Sequence, residues 1–243
     1  MIGRSGLRGK IGQYAPVGTV RLQRDALKQY TNGRVESAEG GSVMLKLYGV
    51  SASRAVRCLW MLEELGVEYA HQPVNFAEES KAPEYKKLNP NGRVPTLVDG
   101  ETVLWESMAI NLYLAAKYGR GMQPESVEDL GQAFKWSFWV MTEVEKSLLD
   151  LMFHRSIFPE GQRDHKIADA AWKALETPFG IIDDALRGRE YLVGNSFTVG
   201  DLNPASVLMW LKLAKADLSS WPNLQTWLAA CLARPAAGRA RKK

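Results

Sequence analysis

The stretch that most constrains this 243-residue chain is Asn89 to Ser107, NPNGRVPTLVDGETVLWES. An extended run, Thr96-Leu97-Val98, comes directly after Val94-Pro95. Asp99-Gly100 then predicts a tight hairpin, because a type I′ turn needs positive φ at both central residues. A second short strand is expected over Thr102-Val103-Leu104-Trp105. Glu106-Ser107 opens a helix, Met108 to Tyr118, whose apolar residues recur at helical spacing. The segments N-terminal to this hairpin must pair with it, and those C-terminal to it must cover it.

The N-terminal segments supply those partners. Val43 to Tyr48 reads as a strand and Ser53 to Leu65 as a helix, with Val56, Leu59, Trp60, Leu62 and Leu65 in register and Gly66 as its stop. Glu68 to Asn75 alternates like a second strand, and Glu78 to Leu88 has a short helical core at Pro83-Glu84-Tyr85. A helical crossover makes the first two strands parallel, whereas the hairpin makes the last two antiparallel. The expected domain, residues 43–119, is therefore α/β with a mixed four-stranded sheet in the order βαβ-α-ββα.

Beyond a linker at 120–126 every segment reads helical, so an all-α domain is expected over 127–236. Val127 to Phe153 forms one long helix on the stripe Leu130, Phe134, Phe138, Met141, Val144/Glu145, Leu148 and Met152. Gln162 to Leu186 is another. Phe197-Thr198 with Asp201-Leu202 predicts a capping box and hydrophobic staple opening a third, to Lys215. Leu224 to Ala233 is the last, with a basic tail after it at 237–243. Residues 1–42, broken by eight glycines and lacking a sustained period, read as a disordered or loosely attached extension.

Charge excludes one class of function. Residues 1–43 hold seven Lys/Arg against three acids, and five more basic residues lie in 234–243, so the body between is acidic. A basic face for nucleic acid is missing from it. No apolar run is long enough to span a membrane, and no secretory leader is expected. Cys58 and Cys231 have no metal or redox spacing, which suits a cytoplasmic protein, with Cys58 buried and inert. His71, His154 and His165 form no metal cluster with other ligands.

These pieces together resemble the soluble glutathione transferases, which join a thioredoxin-like domain to an all-helical one. The matching motifs are Ser53-Arg54-Ala55-Val56-Arg57, Leu62-Glu63-Glu64-Leu65-Gly66, Asn89 to Leu97, Glu106-Ser107-Met108-Ala109-Ile110 with Tyr113-Leu114-Ala115, and Phe197-Thr198-Val199-Gly200-Asp201. They span residues 44 to 236, and the Ser-Arg-x-x-Arg start is most similar to bacterial and fungal members.

The resemblance implies glutathione as co-substrate, no metal, a homodimer and a role in detoxification. It implies a cis peptide at Val94-Pro95, with the Val94 backbone pairing to the cysteinyl unit. Ser107 would hold the γ-glutamyl carboxylate at a helix N-terminus, Glu106 would face the ammonium, and Arg93 the glycyl carboxylate. Without the family, Val94-Pro95 is an ordinary trans turn and Ser107 a plain cap. Ser53 is the expected donor to the thiol, and Ser51 its rival. Phe134, Trp136, Trp139 and Met141 are expected to supply the second-substrate pocket, with His154 and Arg155 nearby. The implied reaction is thiolate attack on an electrophilic, partly apolar substrate. A glutathione-dependent peroxidase or isomerase, and a non-catalytic scaffold, are the other readings.

Overall fold

A computed structural model describes residues 45–243; the expected extension over 1–42 and the strand start at Val43 lie outside the described residues. β1 (Lys46–Tyr48) and β2 (Ala70–Gln72) are joined through helix α1 (Ala55–Leu65) and pair in parallel, Leu47 opposite His71. β1 pairs antiparallel with β3 (Thr96–Asp99), and β3 with β4 (Thr102–Trp105), giving the order β2-β1-β3-β4. The mixed thioredoxin-like sheet is thus as expected, but the hairpin turn sits one residue later. Asp99 pairs with Thr102, so Gly100-Glu101 are the central residues, and Gly100 alone has positive φ, at 65°. Glycine at the first central position is the requirement of a II′ turn, not the I′ turn expected.

Helix α1 occupies the middle of the molecule. Ala55 through Leu62 are all buried, and Gly66, left-handed at φ 56°, ends the helix with its N–H on the Leu62 carbonyl. A helix buried on every side needs cover on every side. The sheet covers one side; α3 (Ser107–Tyr118), α7 (Val199–Leu208) and the C-terminal α9 (Pro235–Ala240) pack on the rest. A smaller core of Val74, Tyr85 and Val94 against Tyr48 forms where α2 (Pro83–Lys86) packs.

The long helix departs from its expected form. It runs as α4 (Val127–Trp139), a π-helical segment Val140–Val144, α5 (Glu145–Met152) and a second π segment, Phe153–Ile157. Its buried face runs through Ala133, Trp136 and Ser137 on α4 to Val140 of the π segment, so the expected stripe is the wrong one there: Phe134 and Phe138 are exposed. Both faces of α4 carry large apolar groups, and periodicity alone could not choose between them. Helices α6 (His165–Ala185), α7 and α8 (Pro222–Ala233) come next, with the capping box of Thr198 and Asp201 present at the start of α7.

The basic tail expected at 237–243 is partly structured, its first residues lying in α9. Ala236, Ala237 and Ala240 are buried against α1, while Arg234 makes a two-pronged bond to Glu64 and Arg239 binds Glu63 at 2.7 Å. These basic residues answer acids that end the buried helix, a pairing of distant segments that composition cannot reveal. A buried polar chain also links the two domains. Asn111 donates to Asn203 (2.8 Å), and Asn203 donates to Ser137 (2.8 Å).

Candidate functional site

A cleft opens where the start of α1, the loop before β3, the start of α3 and the π segment of the long helix converge. Its first wall is Asn89, Asn91, Arg93, Val94 and Pro95. The Val94-Pro95 bond is cis. The Arg93 carbonyl is saturated, accepting from Asn89 Nδ2 at 2.8 Å and from the Tyr85 hydroxyl at 2.9 Å. By contrast, no hydrogen bond among the described residues reaches the Val94 N–H or C=O, although its side chain is buried. Main-chain donors and acceptors of this kind are rarely left without a partner away from water, so Val94 offers a short free strand edge to the cleft.

Gly49 lets α1 approach that edge. Its φ is 129°, and a Cβ there would lie 2.7 Å from Ala55 Cβ and 3.0 Å from Val94 Cβ. Only glycine fits both the backbone angle and the space.

The floor is Glu106 and Ser107. Glu106 is exposed and holds φ 74°, ψ 111°, a conformation that costs a non-glycine residue about 1–3 kcal/mol. This bend turns the chain from β4 into α3 and sets Ser107, which is buried, at the first position of the helix, where unsatisfied N–H groups favour an anion.

Behind Ser107 stands a charged cluster not anticipated from sequence. Arg57, wholly buried, donates from Nη1 to Ser107 Oγ (3.3 Å) and from Nη2 to Glu145 Oε1 (2.5 Å). Its guanidinium also lies 4.7 Å over the Trp210 ring. The same Glu145 oxygen accepts from Arg54 Nε at 2.8 Å. Burial pulls the Arg57 guanidinium below its ordinary value, against the pull of Glu145. Burial pushes the Glu145 carboxyl up, but Arg57 and Arg54 outweigh it and hold the group below the ordinary carboxylate range. Two guanidinium groups thus face one carboxylate, and because arginine keeps its proton in proteins the cluster carries one net positive charge. Arg57 stood inside a recognisable motif; Glu145 looked like one more turn of an apolar stripe. What brings it inward is the π segment just before it, a widening of the helix that often marks a functional position.

The two candidate serines lie at the edge of this arrangement. Ser53 donates to the Val50 carbonyl (2.7 Å) and accepts from the Ala55 N–H (3.1 Å), closing the turn that leads into α1. Ser51 donates to the main-chain oxygen of Lys243 (3.0 Å). Arg54, the next residue along, is the one from this loop that lines the cleft. Of the four expected pocket residues, Met141 lines the cleft beside Glu145. Trp136 is buried with its ring edge-to-face on the half-buried Trp139, and Phe134 is exposed. His154 accepts from the Asp164 N–H, and Arg155 stacks on Trp172, both as local fixtures. Burial raises the Cys58 thiol well above its ordinary value, so it stays protonated. Among the described residues no group of three metal-ligating side chains is found, and no helix is long and apolar enough to cross a membrane.

The same architecture is found in known proteins. The family described as glutathione S-transferase, N-terminal domain, matches residues 43–116, and its C-terminal domain matches 138–235. Glutathione S-transferase 1 of Zea mays is 33% identical over 202 residues, 79% of this chain and 92% of that protein. A theta class glutathione S-transferase of Xanthomonas axonopodis pv. citri, solved with glutathione bound, is 34% identical with a TM-score of 0.75, covering 82% of this chain and 97% of that one. A glutathione transferase of Phanerochaete chrysosporium superposes with a TM-score of 0.75 at 25% identity, covering 84% of this chain and 95% of its own. With both domain families matched in order over the two halves of one fold, this chain belongs to the glutathione S-transferase family of enzymes.

Proposed function

We propose that this enzyme binds glutathione in the cleft between Val94-Pro95 and Ser107 and directs its thiolate at an electrophilic, partly apolar second substrate. The observation that carries the reading is the free backbone edge of Val94 facing a helix N-terminus, since glutathione needs both an extended peptide partner and an anion site. The Xanthomonas relative was solved with glutathione bound, which supports the same ligand here. In this reading Ser107 takes the γ-glutamyl carboxylate, Glu106 the ammonium and Arg93 the glycyl carboxylate. The thiol lies at the start of α1, where Ser53 is the first donor and Ser51 the alternative, as in Ser-type bacterial and fungal members. A thiol of pKa about 8.5 is only a few per cent ionised at neutral pH, so its activation requires preferential stabilisation of the anion.

Met141 forms the near wall for the second substrate, with the half-buried Trp139 two residues before it. A panel of aryl halides, with a hydroperoxide added, tests the reaction class. Conjugation of at least one halide supports transfer, turnover of the hydroperoxide alone selects the peroxidase reading, and no turnover of any kind sinks both. Ser53→Ala is expected to lose most turnover while its glutathione affinity stays within about threefold, the pattern of a group needed only for the ionised sulfur. A collapse in Ser51→Ala with Ser53→Ala unaffected would move the role to Ser51.

The enzyme is proposed to be a cytoplasmic homodimer. Val127, Phe134 and Phe138 are exposed along one side of α4, and Val103 and Trp105 are exposed on the edge strand β4. Large apolar groups left in water together mark a protein contact. Sedimentation velocity should give a dimer that Phe138→Glu converts to monomer; a monomer in the unmutated protein would refute it.

A further inference from the structure

We propose that Arg54 is a catalytic residue whose guanidinium holds the charge of the bound thiolate, and that Glu145 is the residue that positions it. The proposal rests on the reading of this cleft as a glutathione site and adds to it a charged group that acts on the thiolate beside the serine.

Three observations lead to it. First, each candidate serine has a single hydroxyl hydrogen, and both are directed at main-chain oxygens: Ser53 at Val50, Ser51 at Lys243. To reach sulfur, either must give up that bond. Second, Arg54 lines the cleft together with Val94, Ser107 and Met141, while neither serine does. Third, Arg54 spends one donor of its five. Its Nε goes to Glu145, and among the described residues its terminal nitrogens have no partner, with the side chain 40% exposed. An arginine pinned by its Nε, with its outer edge unused, is preorganised to receive an anion.

Glu145 explains how the pin is held. Its carboxylate is 9% exposed and accepts from Arg54 and Arg57 through one oxygen. Arg57 is already engaged with Ser107, so Arg54 carries the cluster's remaining positive charge toward the cleft. An opposite charge within about 4–6 Å lowers an acid by about 1–3 pKa units. A neutral hydroxyl gives a bond about half as strong as a charge-assisted one. In the step proposed, the thiol releases its proton to solvent, sulfur keeps the electron pair, and Arg54 stays protonated throughout. No bond to the protein forms or breaks.

The test is the pKa of enzyme-bound glutathione, read from the ultraviolet thiolate band in the absence of any electrophile. Arg54→Gln should raise it by about 1–2 units, Arg54→Lys by less, and Ser53→Ala by less than Arg54→Gln. Glutathione affinity at acid pH, where the thiol is neutral, should stay within about threefold in all of them. Glu145→Gln should raise the same pKa through the displaced Arg54, a readout that a purely structural carboxylate would leave alone. An unmoved pKa in Arg54→Gln, with glutathione still bound, overturns this proposal alone. Failure of the unmutated protein to bind glutathione overturns the site reading and this proposal with it.

Discussion

Asp201→Ala should cost about 4 kcal/mol and lower the melting temperature by about 8–16 °C. Asp201 is wholly buried, and its carboxylate takes the N–H of Leu192 at 2.8 Å, the Trp227 indole at 2.9 Å and the Thr198 N–H at 3.4 Å. Removing it leaves these donors buried and unsatisfied, each at about 1–3 kcal/mol, and opens the capping box of α7. Since α7 packs on α1, α3 and α4, the damage reaches both domains. Asp201→Asn keeps an oxygen for Leu192 and Trp227 and should cost only about 1–2 kcal/mol.

The unmutated protein also separates from both variants by pH, because only it carries the titrating carboxyl. Burial pushes the Asp201 carboxyl up to about 6, while the three N–H donors pull it down. A carboxyl raised in the fold contributes stability that is present below its unfolded value and lost as pH rises through about 6. The advantage of the unmutated protein over Asp201→Asn should therefore shrink across that window. Urea melts at several pH values measure it, and an advantage that grows instead would show that the donors win.

Glu145→Ala is the second large effect, expected at about 3–5 kcal/mol, because it strands Arg57 as an unpaired charge in the interior. It should also raise the KM for glutathione about tenfold or more, since Arg57 then loses its alignment on Ser107. The double variant Arg57→Met with Glu145→Leu separates these costs. A buried pair replaced by apolar groups of similar volume often recovers stability, so this variant should return to within about 1–2 kcal/mol while glutathione binding stays impaired. Recovery of both would make the cluster structural only.

Acid should expose the same pair. Glu145 is held below its ordinary value, so its contribution is complete above the unfolded value of 4.5 and lost as pH falls through the lower folded one. Below that window the unmutated protein and Glu145→Gln should converge in stability.

The mixed sheet, the Gly66 stop and the Thr198–Asp201 box were legible because each is written in adjacent residues. The cis bond at Val94-Pro95 came with the family resemblance, since spacing alone reads it as a trans turn. Three features were not legible. Glu106 adopts a positive φ that its residue type does not announce. The π segment at Val140–Val144 changes the helical period in mid-element, so a stripe drawn at 3.6 residues selected Phe134 and Phe138 in place of Trp136 and Val140. Arg57 and Glu145 are 88 residues apart, and their pairing depends on that same widened turn. The residues lining the cleft at Asn89–Pro95 and Glu106–Ser107 therefore sit in local motifs, while the Arg54–Arg57–Glu145 cluster depends on tertiary packing.

Glutathione occupying the cleft between Val94 and Ser107 is the central claim. A calorimetric titration of the unmutated protein with reduced glutathione, repeated with Ser107→Ala, tests it most directly. One site per chain with a Kd at or below about millimolar, weakened about tenfold or more in Ser107→Ala, is the predicted result. No heat of binding at millimolar glutathione, or the same affinity in both proteins, would contradict it.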